Sequence, residues 1–208
     1  MPTYKLTYFD ATGRAELSRR MFKLAGVEFE DVRVSKDEWP KLKAGMPLKV
    51  MPVMEVDGQL IVQSGCIERY VAEKTGLNGG ESPAARLQVD IIHTTAMEYI
   101  LLPMPMFGEK DEAKKAELRR EFLEDKLPVC MDFLTKELEQ AKQDFGSDEF
   151  FVGKVTMADI AVSLLLEVLV WAKLADDVMP KYPLIQALVD RVNALPPIAK
   201  HLANTSQK

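Results

Sequence analysis

The chain has 208 residues, of which 47% are hydrophobic and 28% charged. That is room for one or two domains of about 150 residues and material for a sizeable core, which excludes a mainly disordered chain. Its 27 basic and 32 acidic residues leave a net charge of -5, so no global attraction to nucleic acid or anionic lipid is expected.

In chain order, aromatic and β-branched content predicts a first strand over 4–9. Gly13 then precedes a helical pattern, Leu17, Met21 and Leu24, closed by Gly26 as a C′ glycine. A second strand is expected over 28–34, and Ser35 and Glu38 have capping-box spacing for a short helix through Lys43. Two short apolar runs, 53–56 and 60–62, flank Asp57-Gly58 and read as a hairpin. Ser64 offers an N-cap for a helix to about Lys74, stopped by Gly76. This β-α-β, β-β-α order gives a mixed four-stranded sheet, an α/β thioredoxin-like domain without redox cysteines.

The remainder reads as helix almost throughout. Helices are expected over 84–102, 110–144, 157–175 and 184–194, with a last short one before the tail. Pro128 should kink or break the second of these. The stretch from Leu77 to Pro83 carries Gly79-Gly80 and is the linker candidate, giving domains over 1–78 and 83–208. The part before Gly79 carries +1 and the part from it -6. The second domain is expected to be an all-α bundle.

Cys66 and Cys130 make neither a disulfide framework nor a C-x-x-C pair. No basic stretch followed by an apolar one opens the sequence, so no secretory signal is expected. The apolar run 160–170, interrupted by Ser163 and Glu167, falls short of the ~18 residues of a membrane span. The expectation is a soluble, cytoplasmic protein of a reducing compartment.

Six short signatures occur in order: Tyr8-Phe9, Gly13 to Glu16 (Gly-Arg-Ala-Glu), Glu38-Trp39-Pro40, Met51-Pro52, Gln63-Ser64, and Ile67 with Arg69-Tyr70. Together they resemble the sigma class of cytosolic glutathione transferases. Thr156-Met157-Ala158-Asp159 is similar to the motif with which that family caps its central buried helix. The resemblance covers the whole chain. It implies glutathione as co-substrate and small apolar electrophiles as second substrates.

Conjugation needs a thiolate, and a free thiol with pKa about 8.5 is mostly protonated at neutral pH. A hydrogen bond aimed at sulfur favours the charged form. Tyr8, at a strand end, can donate it while its own phenol stays protonated; the plain alternative is a core tyrosine under the first helix. The resemblance implies a cis bond at Met51-Pro52 that turns the Met51 backbone toward the peptide, with Val50 contributing backbone only. Ser64 at a helix N-terminus suits a carboxylate, and Gln63 the γ-glutamyl end. Lys43 and the Trp39 indole are implied partners of the glycine end, and Arg14 a support for Tyr8. Glu98, with Asp90 behind it, is the candidate acid reaching the glutathione amine of a second subunit. Phe9, Met104, Met106 and Phe107 are implied to line the electrophile pocket.

Vertebrate prostaglandin D synthases of this class carry clustered aspartates where this chain reads His93 to Glu98, so no metal is expected. Three readings stand: a transferase, with prostaglandin H to D isomerisation as a specialised form; a structural, crystallin-like protein of little activity; and a glutathione-binding module. A homodimer is expected, since the resemblance implies a site completed across a two-fold interface.

Overall fold

A computed structural model describes residues 2–205. Four strands, β1 (Tyr4–Phe9), β2 (Glu30–Val34), β3 (Val53–Val56) and β4 (Gln59–Val62), form one sheet in the order β2-β1-β3-β4. β1 runs parallel to β2 and antiparallel to β3, and β3 pairs antiparallel with β4. This is the mixed, thioredoxin-like sheet expected. Asp57 and Gly58 turn the hairpin with φ of 48° and 85°, the two positive values that a two-residue turn of matching twist requires. Asp57 also accepts the Thr3 N–H at 2.9 Å, which ties the turn to the start of β1.

Helix α1 (Glu16–Ala25) follows a single 3-10 turn at Gly13–Ala15; α2 (Trp39–Lys43) and α3 (Ser64–Thr75) complete this region. The expected Ser35–Glu38 box forms: the Glu38 carboxylate accepts the Ser35 N–H at 2.9 Å, and the Glu38 N–H donates back to the Ser35 hydroxyl at 3.2 Å. Leu6, Leu17, Met21, Phe22, Met54 and Ile67 build the core. The Phe22 ring lies 5.1 Å from Tyr4 and stacks on Phe29 at 4.7 Å.

The other helices are α4 (Pro83–Leu101), α5 (Met104–Gly108), α6 (Glu112–Arg120), α7 (Leu127–Phe145), α8 (Met157–Trp171), α9 (Ala175–Val178), α10 (Pro183–Asn193) and α11 (Pro196–Thr205). α8 is buried along nearly its whole length and packs against α4 and α10. Its start is held by Asp159, whose carboxylate accepts from Thr156 N at 2.7 Å, Thr156 Oγ1 at 2.8 Å and Phe151 N at 3.1 Å. Burial pushes the Asp159 carboxyl up to about 6 against these donors.

Two details were not foreseen. The long helix expected over 110–144 is interrupted just before Pro128: α6 passes into α7 through a π-helical turn, Glu121–Lys126, and Pro128 is the second residue of α7. Pro128 lacks an N–H and its ring would strike the carbonyl four residues back, and the widened turn accommodates both. α11, inside the helical domain expected over 83–208, groups by packing with the sheet. Residues 2–78 together with α11 form one compact unit, and 79–195 the other; residues 1 and 206–208 lie outside the described ones. α11 packs on α1, burying Ile198. Among the described residues no helix is long and apolar enough to cross a membrane.

Candidate active site

The sheet register gathers most of the candidate residues. Thr7 pairs with Val53, and Val53 with Val62. One step past this rung lie Tyr8 on β1, Met51-Pro52 before β3, and Gln63-Ser64 after β4. β2 ends at the same edge, with Val34 opposite Phe9, and leads through the Ser35–Glu38 turn into Trp39. Three segments distant in sequence therefore meet at one end of the sheet, and the Phe9–Trp39 ring contact brings in a fourth.

Tyr8 is half-buried, and its hydroxyl oxygen accepts the backbone N–H of Arg14 at 3.3 Å. An accepting phenol keeps its own proton free to donate, and the incoming N–H polarises that O–H bond. Gly13 makes this approach possible. It has φ 49°, and a Cβ placed there would stand 2.7 Å from the Tyr8 hydroxyl oxygen. Aromatic rings continue outward: Tyr8 to Phe9 at 5.5 Å, and Phe9 to Trp39 at 5.5 Å.

The Met51–Pro52 peptide bond is cis. Met51 and Pro52 are buried, and Val50 before them is exposed. The loop is tethered by Lys49, whose Nζ donates to the Ala44 carbonyl. At the start of α3 the cap is Gln63 rather than the expected Ser64. Gln63 takes φ 71° and ψ 117°, so its carbonyl accepts from both Cys66 N and Ile67 N at 3.0 Å. The Ser64 and Gly65 N–H groups have no acceptor within the helix, and they stand at the positive end of its dipole.

Among the described residues, the polar side-chain groups of Arg14, Trp39, Lys43, Gln63 and Ser64 make no hydrogen bond or ion pair within the protein. All five come from the segments that meet at this end of the sheet or from the turn and helix adjoining them. This set offers two cations and several neutral donors, suited to an anionic, peptide-like ligand.

Sequence reasoning missed the charged groups beneath α1. Arg19 and Glu16 are 0% and 1% exposed. Arg19 Nη1 donates to the carbonyls of Ala11 at 2.8 Å and Thr12 at 3.1 Å, and its Nε to Asp31 at 3.0 Å. Glu16 faces Arg19 at 3.4 Å, Arg20 at 3.2 Å and His201 of α11 at 2.7 Å. Burial works against its charge, but the His201 hydrogen bond and the nearby arginines outweigh it and hold the carboxyl below its ordinary value. The signal was present in the sequence: Glu16 with arginines three and four positions later is an ion-pair spacing.

In the second unit Glu98 is exposed on α4. Met104, Met106 and Phe107 share α5, where Met104 and Phe107 are exposed and Met106 is only 6% exposed. Phe107 packs against Trp171 with ring centres 4.4 Å apart, an aromatic partner the sequence did not suggest. Burial, aided by the Glu98 charge, pushes the Cys130 thiol up to about 12. Among the described residues no group of three or more His, Cys, Asp or Glu could hold a metal ion.

Two family models match: glutathione S-transferase, N-terminal domain, over residues 4–73, and glutathione S-transferase, C-terminal domain, over 102–205. Hematopoietic prostaglandin D synthase of Gallus gallus is 40% identical over 200 residues, 96% of this chain and 94% of its own. Glutathione S-transferase 1 of Ascaris suum is 34% identical over 212 residues, 98% of this chain and 97% of its own. Among solved structures, prostaglandin synthase D of Nilaparvata lugens aligns with a TM-score of 0.82 at 32% identity, covering 97% of both chains.

Proposed function

The chain belongs to the glutathione S-transferase family, and from that premise we propose that it conjugates glutathione to small apolar electrophiles through a thiolate held by Tyr8. The observation that carries this reading is the meeting of Tyr8, Met51-Pro52 and Gln63-Ser64 one step past a single rung of the sheet.

The peptide lies extended along the Met51 backbone. Its γ-glutamyl carboxylate is received by Ser64, Gln63 and the free N–H groups of α3, and its glycine carboxylate by Lys43 and the Trp39 indole. Both cations, Arg14 and Lys43, belong to the half of the chain that carries +1, which suits a tripeptide with two carboxylates. The Tyr8 hydroxyl donates to sulfur, favouring the thiolate, and the thiol proton leaves to solvent. The sulfur lone pair then forms the carbon–sulfur bond as the leaving group departs with its electron pair. Val50 contributes backbone to the cradle. Phe9 is the apolar ring next to Tyr8, and the methionines of α5, Met104 and Met106, with Phe107, suit electrophiles of varied shape.

Replacing Tyr8 by Phe tests the reading. With reduced glutathione and chlorodinitrobenzene, kcat/KM should fall about 10²-fold, as when one aligned donor is removed from a developing charge. An unchanged rate removes Tyr8 from the mechanism, whereas glutathione retained by the unaltered protein with no turnover of chlorodinitrobenzene favours a binding module. A second reading, isomerisation of a prostaglandin endoperoxide by the same thiolate, is favoured by the name of the Gallus gallus relative. Turnover of prostaglandin H to the D form decides it.

The active form is a homodimer in this reading, with Glu98 the acid offered across the interface. Leu87 and Ile91, one turn apart on α4 and 62% and 39% exposed, give that helix an apolar face for an isologous contact. A monomeric mass by light scattering at micromolar concentration would overturn the assembly. Work in a reducing cytoplasm fits both the co-substrate and the two free cysteines.

A further inference from the structure

A fully buried guanidinium is costly unless its charge and donors are matched, and the partners of Arg19 lie on every side of the loop that follows Tyr8. Its Nη1 holds the carbonyls of Ala11 and Thr12, the residues between β1 and Gly13. Its Nε holds Asp31 of β2, whose other oxygen is taken by Arg33 Nε at 2.8 Å. Glu16 of α1 closes the group from below at 3.4 Å. The remaining nitrogen, Nη2, has no hydrogen-bond partner among the described residues. The guanidinium carbon lies over the Tyr8 ring, 5.8 Å from its centre, a distance at which cation and ring attract.

These contacts form a closed path. The end of β1 carries Tyr8; Ala11 and Thr12 carry the chain to Gly13; the Arg14 N–H returns to the Tyr8 hydroxyl at 3.3 Å. Arg19 grips that loop at two successive carbonyls and lies over the ring the loop returns to. Arg14, by contrast, is exposed and touches the phenol only through its backbone.

We propose that Arg19 is a positioning residue for Tyr8: it sets the loop so that the Arg14 N–H meets the phenol oxygen, and it fixes the ring so that the hydroxyl proton points at the ligand sulfur. The proposal deepens the transferase reading and rests on Tyr8 acting on the thiolate. It gives the support role that the sequence assigned to Arg14 chiefly to the buried arginine five residues later.

Arg19→Lys keeps the charge and loses the fork; Arg19→Met keeps length and loses the charge. Each is made alone and together with Tyr8→Phe, with folding followed by thermal denaturation. With reduced glutathione and chlorodinitrobenzene, the single variants should lose about 10-fold to 10²-fold in kcat, the scale of a displacement near 1 Å. KM for glutathione should change little, and the acid limb of the kcat/KM profile should move to higher pH. In the Tyr8→Phe background the same changes should alter kcat less than about twofold, because the group being positioned is gone. Equal losses in both backgrounds, or a folded Arg19 variant with full kcat, would overturn the proposal. Should neither Arg19 variant fold, Asp31→Asn weakens one anchor of Arg19, and its smaller kcat loss must likewise vanish in the Tyr8→Phe background. Full activity of Tyr8→Phe alone would instead remove Tyr8 from the transferase mechanism, so the two failures are distinguishable.

Discussion

Gly13 and Gly26 flank the same helix, and an alanine at each separates backbone cost from damage to the site. Both have positive φ, 49° and 65°, so a Cβ in either place costs roughly 1–2 kcal/mol in the left-handed region. Their surroundings differ. At Gly26 nothing lies within 4 Å of the added carbon; at Gly13 the Tyr8 hydroxyl oxygen would be at 2.7 Å and Cε1 at 2.9 Å. Restoring ordinary contact at 3.4 Å displaces the phenol by roughly 0.7 Å, and displacements near 1 Å cost about 10²-fold in rate. Both variants should therefore lose similar stability, about 2–4 °C in Tm for each kcal/mol in a chain this size. Only Gly13→Ala should lose kcat, by about 10-fold to 10²-fold in the glutathione–chlorodinitrobenzene assay, with KM for glutathione little changed. A folded Gly13→Ala enzyme of undiminished kcat would refute the contact argument. So would an equal activity loss in Gly26→Ala.

Asp159→Ala removes the acceptor from three buried donors at the start of α8. It should cost at least about 3 kcal/mol, at about 1–3 kcal/mol for each unsatisfied group, read as a lower urea midpoint. Asp159 is raised to about 6 from 3.8, so the native state binds the proton more tightly between those values. Its share of stability grows as pH falls through that window, and Asp159→Asn should flatten that slope in urea titrations. Glu16 has the opposite sign: with its carboxyl lowered by His201, Arg20 and Arg19, its share is present above the unfolded value of 4.5 and lost as pH falls through the lower native one. His201→Ala should loosen α11 from α1, and earlier proteolytic cleavage within 196–205 would report it, against unchanged protection if the pair is idle. Lys43→Ala should raise KM for glutathione about three- to tenfold and leave kcat alone, the mark of uniform binding.

What the sequence made legible was local. β1, the Asp57-Gly58 hairpin and the Ser35–Glu38 box depend on neighbours within a few residues, and all three form. What stayed hidden is non-local. Pro128 marked the interruption of the long helix but not its form, a π-helical turn ending just before it. α5 has Pro105 near its start and spans five residues, too few for a period to register. α11 is amphipathic in pattern, yet its partner lies some 180 residues earlier, and one histidine at position 201 does not name Glu16. Ser64 had the right chemistry for a cap; the positive φ of Gln63, with its carbonyl turned onto Cys66 and Ile67, took the role and left the hydroxyl unspent.

That exchange separates two kinds of residue at this site. Arg14, Trp39, Lys43, Gln63 and Ser64 bring side-chain polar groups that no described residue engages, so side-chain chemistry alone suggests what they bind. Glu16, Arg19 and Asp31 are committed to one another and to the backbone, and their sequence looks like the charged side of an ordinary helix and strand. Burial makes the difference: a charge at a 0% exposed position would destabilise the fold unless every neighbour were arranged for it, and an apolar residue would fill Arg19's place more cheaply. The cost is offset by what an apolar residue cannot do, which is to hold two consecutive carbonyls of the loop and the face of Tyr8 at once. Accordingly, a hydrophobic substitution at Arg19 that packs well need not destabilise the protein, yet should still lose the catalytic geometry. Stability and activity come apart at this position.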